Sequence, residues 1–153
     1  MSSPFCSDRA WRFDIDRSAL WARLAAVEDY QRWWPWLRRF ESDEGLVEGA
    51  SWGCEVSPPL PYIVRFEVHL DRVEADRLVE ATVSGDIVGT ARLVIEPGAI
   101  GTRARLVSAL RPTSPVLRGF GVVARPLVER GHDWILDEGR RQFVQRGLGG
   151  GDE

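Results

Sequence analysis

Between Phe40 and Leu110 the chain alternates apolar with polar residues over stretch after stretch, and this period of two commits half the molecule to β-structure. Val64, Phe66, Val68 and Leu70 alternate with Arg65, Glu67, His69 and Asp71; Val79, Ala81 and Val83 alternate with Glu80, Thr82 and Ser84. Turn-forming pairs at Glu48-Gly49, Pro58-Pro59, Asp76-Arg77, Gly85-Asp86 and Pro97-Gly98 cut the region into six strands. One apolar and one polar face is the signature of an antiparallel sheet with a single wet side. Ile87, Gly89, Ala91, Leu93 and Ile95 continue the apolar face, as do Ala104, Leu106, Ser108 and Leu110. In this register His69 and Glu67 face solvent; a shift by one residue would turn both inward.

The flanks are mixed. Trp11, Phe13 and Ile15 alternate with charged residues and predict a first strand over Ala10 to Asp16. Asp16 or Ser18 can cap a helix reaching about Val27, with Leu20, Trp21, Leu24 and Val27 on its apolar side. Asp29 can start a second short helix that carries Trp33, Trp34 and Trp36, with Pro35 near its end. After Pro112 and Pro115 the pattern turns helical, with a bend at Arg125-Pro126 and a long helix from Pro126 to about Gln145. Phe120, Ala124, Leu127, Val128, Gly131, Trp134, Ile135 and Glu138 form its stripe, which needs an apolar surface to lie on, and the sheet is the large candidate. At 153 residues the expectation is one α+β domain over 1–147, with 148–153 a flexible tail.

Several chemistries are excluded by what the chain lacks. It has no lysine, so neither a Schiff base nor a P-loop can be built. Cys6 and Cys54, with His69 and His132, show no metal-ligand spacing, so no metal is expected, and two free thiols are. No GxSxG elbow occurs, and SGDIVG lies between strands rather than before a helix, so no nucleotide cofactor is expected. A net charge of −3 and a pI near 5.5, without a basic stripe, argue against a nucleic-acid partner. No apolar run is long enough for a membrane span, and MSSPFCSDRA does not read as a secretory signal, which points to the cytoplasm.

Strand, two short helices, six strands and a long final helix is the order of the helix-grip fold, a curved antiparallel sheet of about seven strands wrapped around the C-terminal helix. VEDYQRWWPWL, EATVSGDIVGTARLVIEP followed by GTRARLVSALRP, and GHDWIL in the last helix resemble the polyketide cyclase/dehydrase branch of the START-like superfamily, from about Arg9 to Gly147. The resemblance implies an elongated cavity between helix and sheet that holds a hydrophobic or amphipathic small molecule. It carries over no catalytic residue. Where similar sequences place a polar residue before HDW, this chain has Gly131.

The residues themselves support candidates for that cavity. Trp33 and Trp36, three apart, can share a helical face as core or as pocket wall, Trp34 points elsewhere, and Trp52 and Trp134 have the same two readings. Phe66, Val68 and Leu93 come from the apolar face of the sheet, and Phe120 and Leu127 from the helical stripe. Ser108 and Gly131, with Gly89 and Ala91, are small where a filled core wants bulk, which fits either an open cavity or a close helix-on-sheet approach. Glu138 is a candidate general acid or base at one end of the pocket, or a partner for Arg141 or Arg92; His132 is a candidate proton carrier or a structural hydrogen-bonder. Trp11 and Trp21 read as core. The leading function is binding or transport of a polyketide- or lipid-like molecule; the alternatives are a cyclase, aromatase or dehydratase, and a protein-interaction module of the chaperone-coactivator or ribosome-associated type.

Overall fold

The computed structural model describes residues 5–58, 63–113 and 130–147. Strand β1 (Phe5–Phe13) is followed by helix α1 (Arg17–Ala25), a 3-10 turn (Val27–Asp29) and the single-turn helix α2 (Tyr30–Trp33). Six strands come next: β2 (Leu37–Ser42), β3 (Ser51–Val56), β4 (Val64–Glu74), β5 (Leu78–Gly85), β6 (Ile87–Pro97) and β7 (Thr102–Pro112). Helix α3 covers 130–142 and runs into a π-helical turn, Phe143–Gly147.

All seven strands form one antiparallel sheet in the order β1-β7-β6-β5-β4-β3-β2. The predicted turns at Glu48-Gly49, Asp76-Arg77, Gly85-Asp86 and Pro97-Gly98 separate strands, Pro59 of the fifth lies outside the described residues, and the predicted faces hold: Val64, Leu70, Ala81, Val83, Ala104 and Leu110 are buried, while Arg65, Glu67, His69 and Asp71 are exposed. A register shift between Leu70 and Arg72 bulges β4 and helps curve the sheet. The first strand differs from expectation. It starts at Phe5 and ends at Phe13, because pairing with β7 from Phe5↔Leu110 to Phe13↔Thr102 gives the N-terminal residues a ladder that local pattern does not reveal.

Strands β1 and β2 are neighbours in sequence but lie at opposite edges of the sheet. The segment between them, α1 and α2, therefore has to carry the chain from edge to edge. Asp16 starts it as the N-cap of α1, its carboxylate accepting from Ala19 N–H at 2.8 Å. Thr102, fully buried, donates its hydroxyl to the Ile15 carbonyl at 2.5 Å and pins the exit of β1 to the start of β7. Leu20, Tyr30 and Trp33 from this crossing and Leu37 at the start of β2 join Phe13, Val56, Val64, Ile95, Ala104 and Phe143 in the main core, with Trp11 and Trp21 packed against it.

Among the described residues no helix is long and apolar enough to cross a membrane.

Candidate functional site

The tryptophan cluster organises the space between sheet and α3. Helix α2 ends at Trp33, and Trp34 follows with extended backbone (φ −123°, ψ 90°), so the expected helical pairing of Trp33 with Trp36 does not form. Trp33 goes into the core instead, 2% exposed, its ring 5.3 Å from Phe143 and its carbonyl accepting from Arg146 at 3.1 Å. Trp34 and Trp36, two apart across the turn at Pro35, stack at 5.7 Å with planes 24° apart. Both indole N–H groups point at the C-terminal helix: Trp34 donates to the Gly139 carbonyl at 2.8 Å and Trp36 to Gln142 Oε1 at 2.9 Å. Gly139 makes this approach possible, since a Cβ there would lie 3.2 Å from Trp36 Cζ2 and 3.7 Å from Trp34 Nε1. Gln142, whose amide oxygen takes the second bond, is itself buried.

Beyond the stacked pair lies a cavity of about 410 Å³ between α2, the inner face of the sheet and the first turns of α3. Its aromatic wall runs through Trp36, Trp34, Tyr30, Phe40 and Trp52, with Tyr30 5.0 Å from Trp34 and Phe40 5.3 Å from Trp52. Aliphatic side chains from β3 to β7, among them Val56, Val68, Val83 and Leu110, form the floor. Gly131, His132 and Ile135 close it from α3. A second cavity of about 250 Å³ lies under the last turns of the helix, between Leu93, Ala104, Leu136, Gly139 and Phe143. Trp34, Trp36, Leu106 and Ile135 belong to both walls and form the partition.

The polar atoms around the larger cavity are largely spent on the protein. Trp52 Nε1 donates to the Gly45 carbonyl at 2.8 Å, and the Tyr30 hydroxyl donates to the Leu24 carbonyl at 2.5 Å. Burial pushes the Tyr30 phenol well above its ordinary value of 10.0 and the Cys54 thiol from 9.0 up to about 12, so both stay neutral at physiological pH. A thiol so placed is a poor nucleophile, because the thiolate is the reactive form. Among the described residues, no three His, Cys, Asp or Glu side chains come together to hold a metal ion.

The sequence candidates divide as follows. Trp36, Trp52, Phe66, Val68 and Gly131 line the larger cavity, and Leu93 lines the smaller. Of its two readings Trp33 takes the core and lines neither cavity, because helix α2 ends before Pro35. Trp134 is half-buried, edge-on to Trp36 at 6.5 Å, and belongs to neither wall. Ser108 is buried on the same strand face as Leu106 and Leu110 but is in neither wall, and its Oγ has no hydrogen-bond partner among the described residues. Phe120 and Leu127 lie outside the described residues.

His132, 18% exposed in its side chain, reaches the larger cavity. Its Nδ1 is 3.8 Å from Asp133 Oδ1, beyond hydrogen-bond range, so the two neighbours form no dyad. Glu138 does not line either cavity: Arg141 engages it with two guanidinium nitrogens, Nε to Oε1 at 2.9 Å, and that contact holds the carboxyl below its ordinary value. Arg92 is taken up by Glu80. His69 and Glu67 remain on the wet face, His69 Nδ1 lying 3.3 Å from Ser51 Oγ. Gly89 is small because β6 and β7 crowd there: a Cβ would fall 1.9 Å from the Ala109 carbonyl oxygen. That position is backbone approach, not open cavity.

Sequence reasoning missed Trp34, Tyr30, Phe40, Cys54 and Gly139. Cys54 carried a usable signal, since Trp52, Cys54 and Val56 alternate with Gly53 and Glu55. Gly139 carried none, because its role depends on indoles more than a hundred residues away.

No family model matches the chain, and no curated protein does. Solved structures do match. The chain is similar to TTHA0849 from Thermus thermophilus, with a TM-score of 0.73 and 16% identity over 97% of this chain and 99% of that one. It is similar to NE0264 from Nitrosomonas europaea, with a TM-score of 0.62 and 15% identity over 92% and 94%. It is also similar to Ara h 8.0201, with a TM-score of 0.57 and 10% identity over 88% and 99%. Identities this low speak for architecture alone, and together with the seven-stranded curved sheet, the C-terminal helix and the short helices after β1 they show that the chain has the helix-grip fold.

Proposed function

We propose that the protein binds a hydrophobic small molecule, polyketide- or lipid-like, in the cavity between the sheet and α3, and carries or presents it in the cytoplasm. The supporting observation is the larger cavity: about 410 Å³, within the range of small-molecule sites, walled by aromatic and aliphatic side chains whose indole and phenol donors are already bonded to the protein. Such a wall offers π-faces and shape rather than hydrogen bonds, and it rewards ligands that leave water for apolar surface. GHDWIL and VEDYQRWWPWL support placing the chain in the polyketide cyclase/dehydrase branch as part of the same proposal. Enzymatic proton transfer finds less support, since Glu138 is ion-paired away from the cavity and the Cys54 thiol is held neutral.

The test is native mass spectrometry of the purified protein, followed by titration with aromatic polyketides, fatty acids and sterols while indole emission is recorded. A bound molecule in the spectrum, or a saturable emission change at micromolar ligand, is the expected result. Absence of both across the panel refutes the carrier reading.

A further inference from the structure

The described residues of the two cavity walls are predominantly apolar, with His132 on the larger wall and Arg140 on the smaller. Among the described residues of both walls, Arg140 is the single formally charged side chain, and it lines the smaller cavity. It is exposed, so its guanidinium stands at a mouth and not in the interior. It also has no acidic partner among the described residues, although α3 is rich in acids. Asp133 and Asp137 are both engaged by Arg9 from β1, Asp133 at 2.9 Å, and Glu138 is engaged by Arg141, which also donates to Gln145 at 2.8 Å. The carboxylates of α3 are thus committed to other arginines.

The cavities follow the helix axis. Gly131, His132 and Ile135 face the larger one, while Leu136, Gly139, Arg140 and Phe143, at helical spacing, face the smaller. Arg140 lies eight residues beyond His132, about 12 Å along the axis. The two cavities share Trp34, Trp36, Leu106 and Ile135, so an apolar tail that starts at Arg140 has these four side chains to displace before it meets the aromatic wall.

We propose that the paired cavities take a single-chain amphiphile with an anionic head, the head on Arg140 and the apolar tail running past the partition into the larger cavity. This rests on the cavity being a ligand site. A carboxylate or a phosphate head satisfies the guanidinium equally well in kind, since both accept paired N–H donors.

The experiment is calorimetric titration of the full chain with hexadecanoate, hexadecyl phosphate, hexadecan-1-ol and hexadecyltrimethylammonium, each below its micellar threshold and at low salt. At least one anion binds about fivefold tighter than the alcohol, the discount to a small factor reflecting an exposed cation. Arg140→Gln brings that anion to the alcohol's affinity without moving the alcohol, Arg140→Lys keeps most of the preference, and Arg38→Gln, an exposed arginine on β2, changes nothing. Which anion is preferred identifies the head. Equal binding of anions and alcohol, a preference that survives Arg140→Gln, or tightest binding by the ammonium compound overturns the proposal and leaves the cavity reading standing. Failure of all four to bind overturns this proposal, and the cavity reading is then decided by the polyketide and sterol titrations.

Discussion

Replacing Gly139 probes the contact on which the site is built. In helix α3 a glycine costs about 1 kcal/mol relative to alanine, so any side chain there first gains propensity. For Gly139→Ala the new Cβ meets Trp36 Cζ2 at 3.2 Å, a gap that opens to ordinary contact if the indole yields by a few tenths of an ångström. The gain and the cost are then of similar size, and the variant should melt close to the wild type. Gly139→Leu sends further carbons into the stacked Trp34–Trp36 pair. Overfilling costs about 1–3 kcal/mol. Displacing both indoles forfeits the bonds to the Gly139 carbonyl and Gln142 Oε1, about 1 kcal/mol each. After the propensity gain the net loss is about 3 kcal/mol, or roughly 6–12 °C in melting temperature for a domain of this size. Differential scanning calorimetry reads the first quantity, and near-ultraviolet circular dichroism, with tryptophan emission, reads whether the stack is lost. A leucine variant that melts with the wild type and keeps its aromatic spectrum would show that these indoles do not lie against α3, and the partition between the cavities would have to be redrawn.

Three further outcomes follow from individual groups. Cys54 and Tyr30 have folded-state values raised by burial above their ordinary 9.0 and 10.0, so their contribution to stability is intact below about pH 9 and is lost as the unfolded chain ionises first at higher pH. Unfolding free energies from urea titrations should fall above that pH by up to ~1.4 kcal/mol per pH unit for each group, and Cys54→Ala or Tyr30→Phe should each flatten the curve; a level wild-type profile through the alkaline range refutes the assignment. Ser108→Ala removes a buried hydroxyl without a partner among the described residues and should leave stability unchanged or raise it by about 1 kcal/mol, whereas a loss of that size in chemical denaturation would reveal a bond to this oxygen. Glu138→Gln should leave probe affinity within about twofold of the wild type, because the carboxylate serves Arg141 and not the cavity; a tenfold loss in fluorescence titration would return Glu138 to the site.

Much of the architecture is legible in the sequence. The period of two from Val64 to Leu110, the turn at Gly85-Asp86 and the cap at Asp16 are properties of residues adjacent in the chain, and each appears where local chemistry puts it. Phe66, Val68 and Trp52 reached the cavity for the same reason: a strand that turns alternate residues inward delivers them to whatever lies on that side. Local pattern could not say that β1 extends back to Phe5, since that ladder is supplied by β7 almost a hundred residues away. Nor could it choose between Trp33 and Trp34, because Pro35 ends the helix and the turn, not the helical period, sets which indole meets α3. Gly89 and Gly139 show the same limit from opposite sides. Both are small, one because a neighbouring strand crowds its backbone and the other because two indoles need its surface. Periodicity determines which way a side chain points, but a cavity is the volume that opposing elements leave unfilled. Its shape, its partition and the charge at its mouth are therefore decided only when sheet, crossing segment and final helix are brought together.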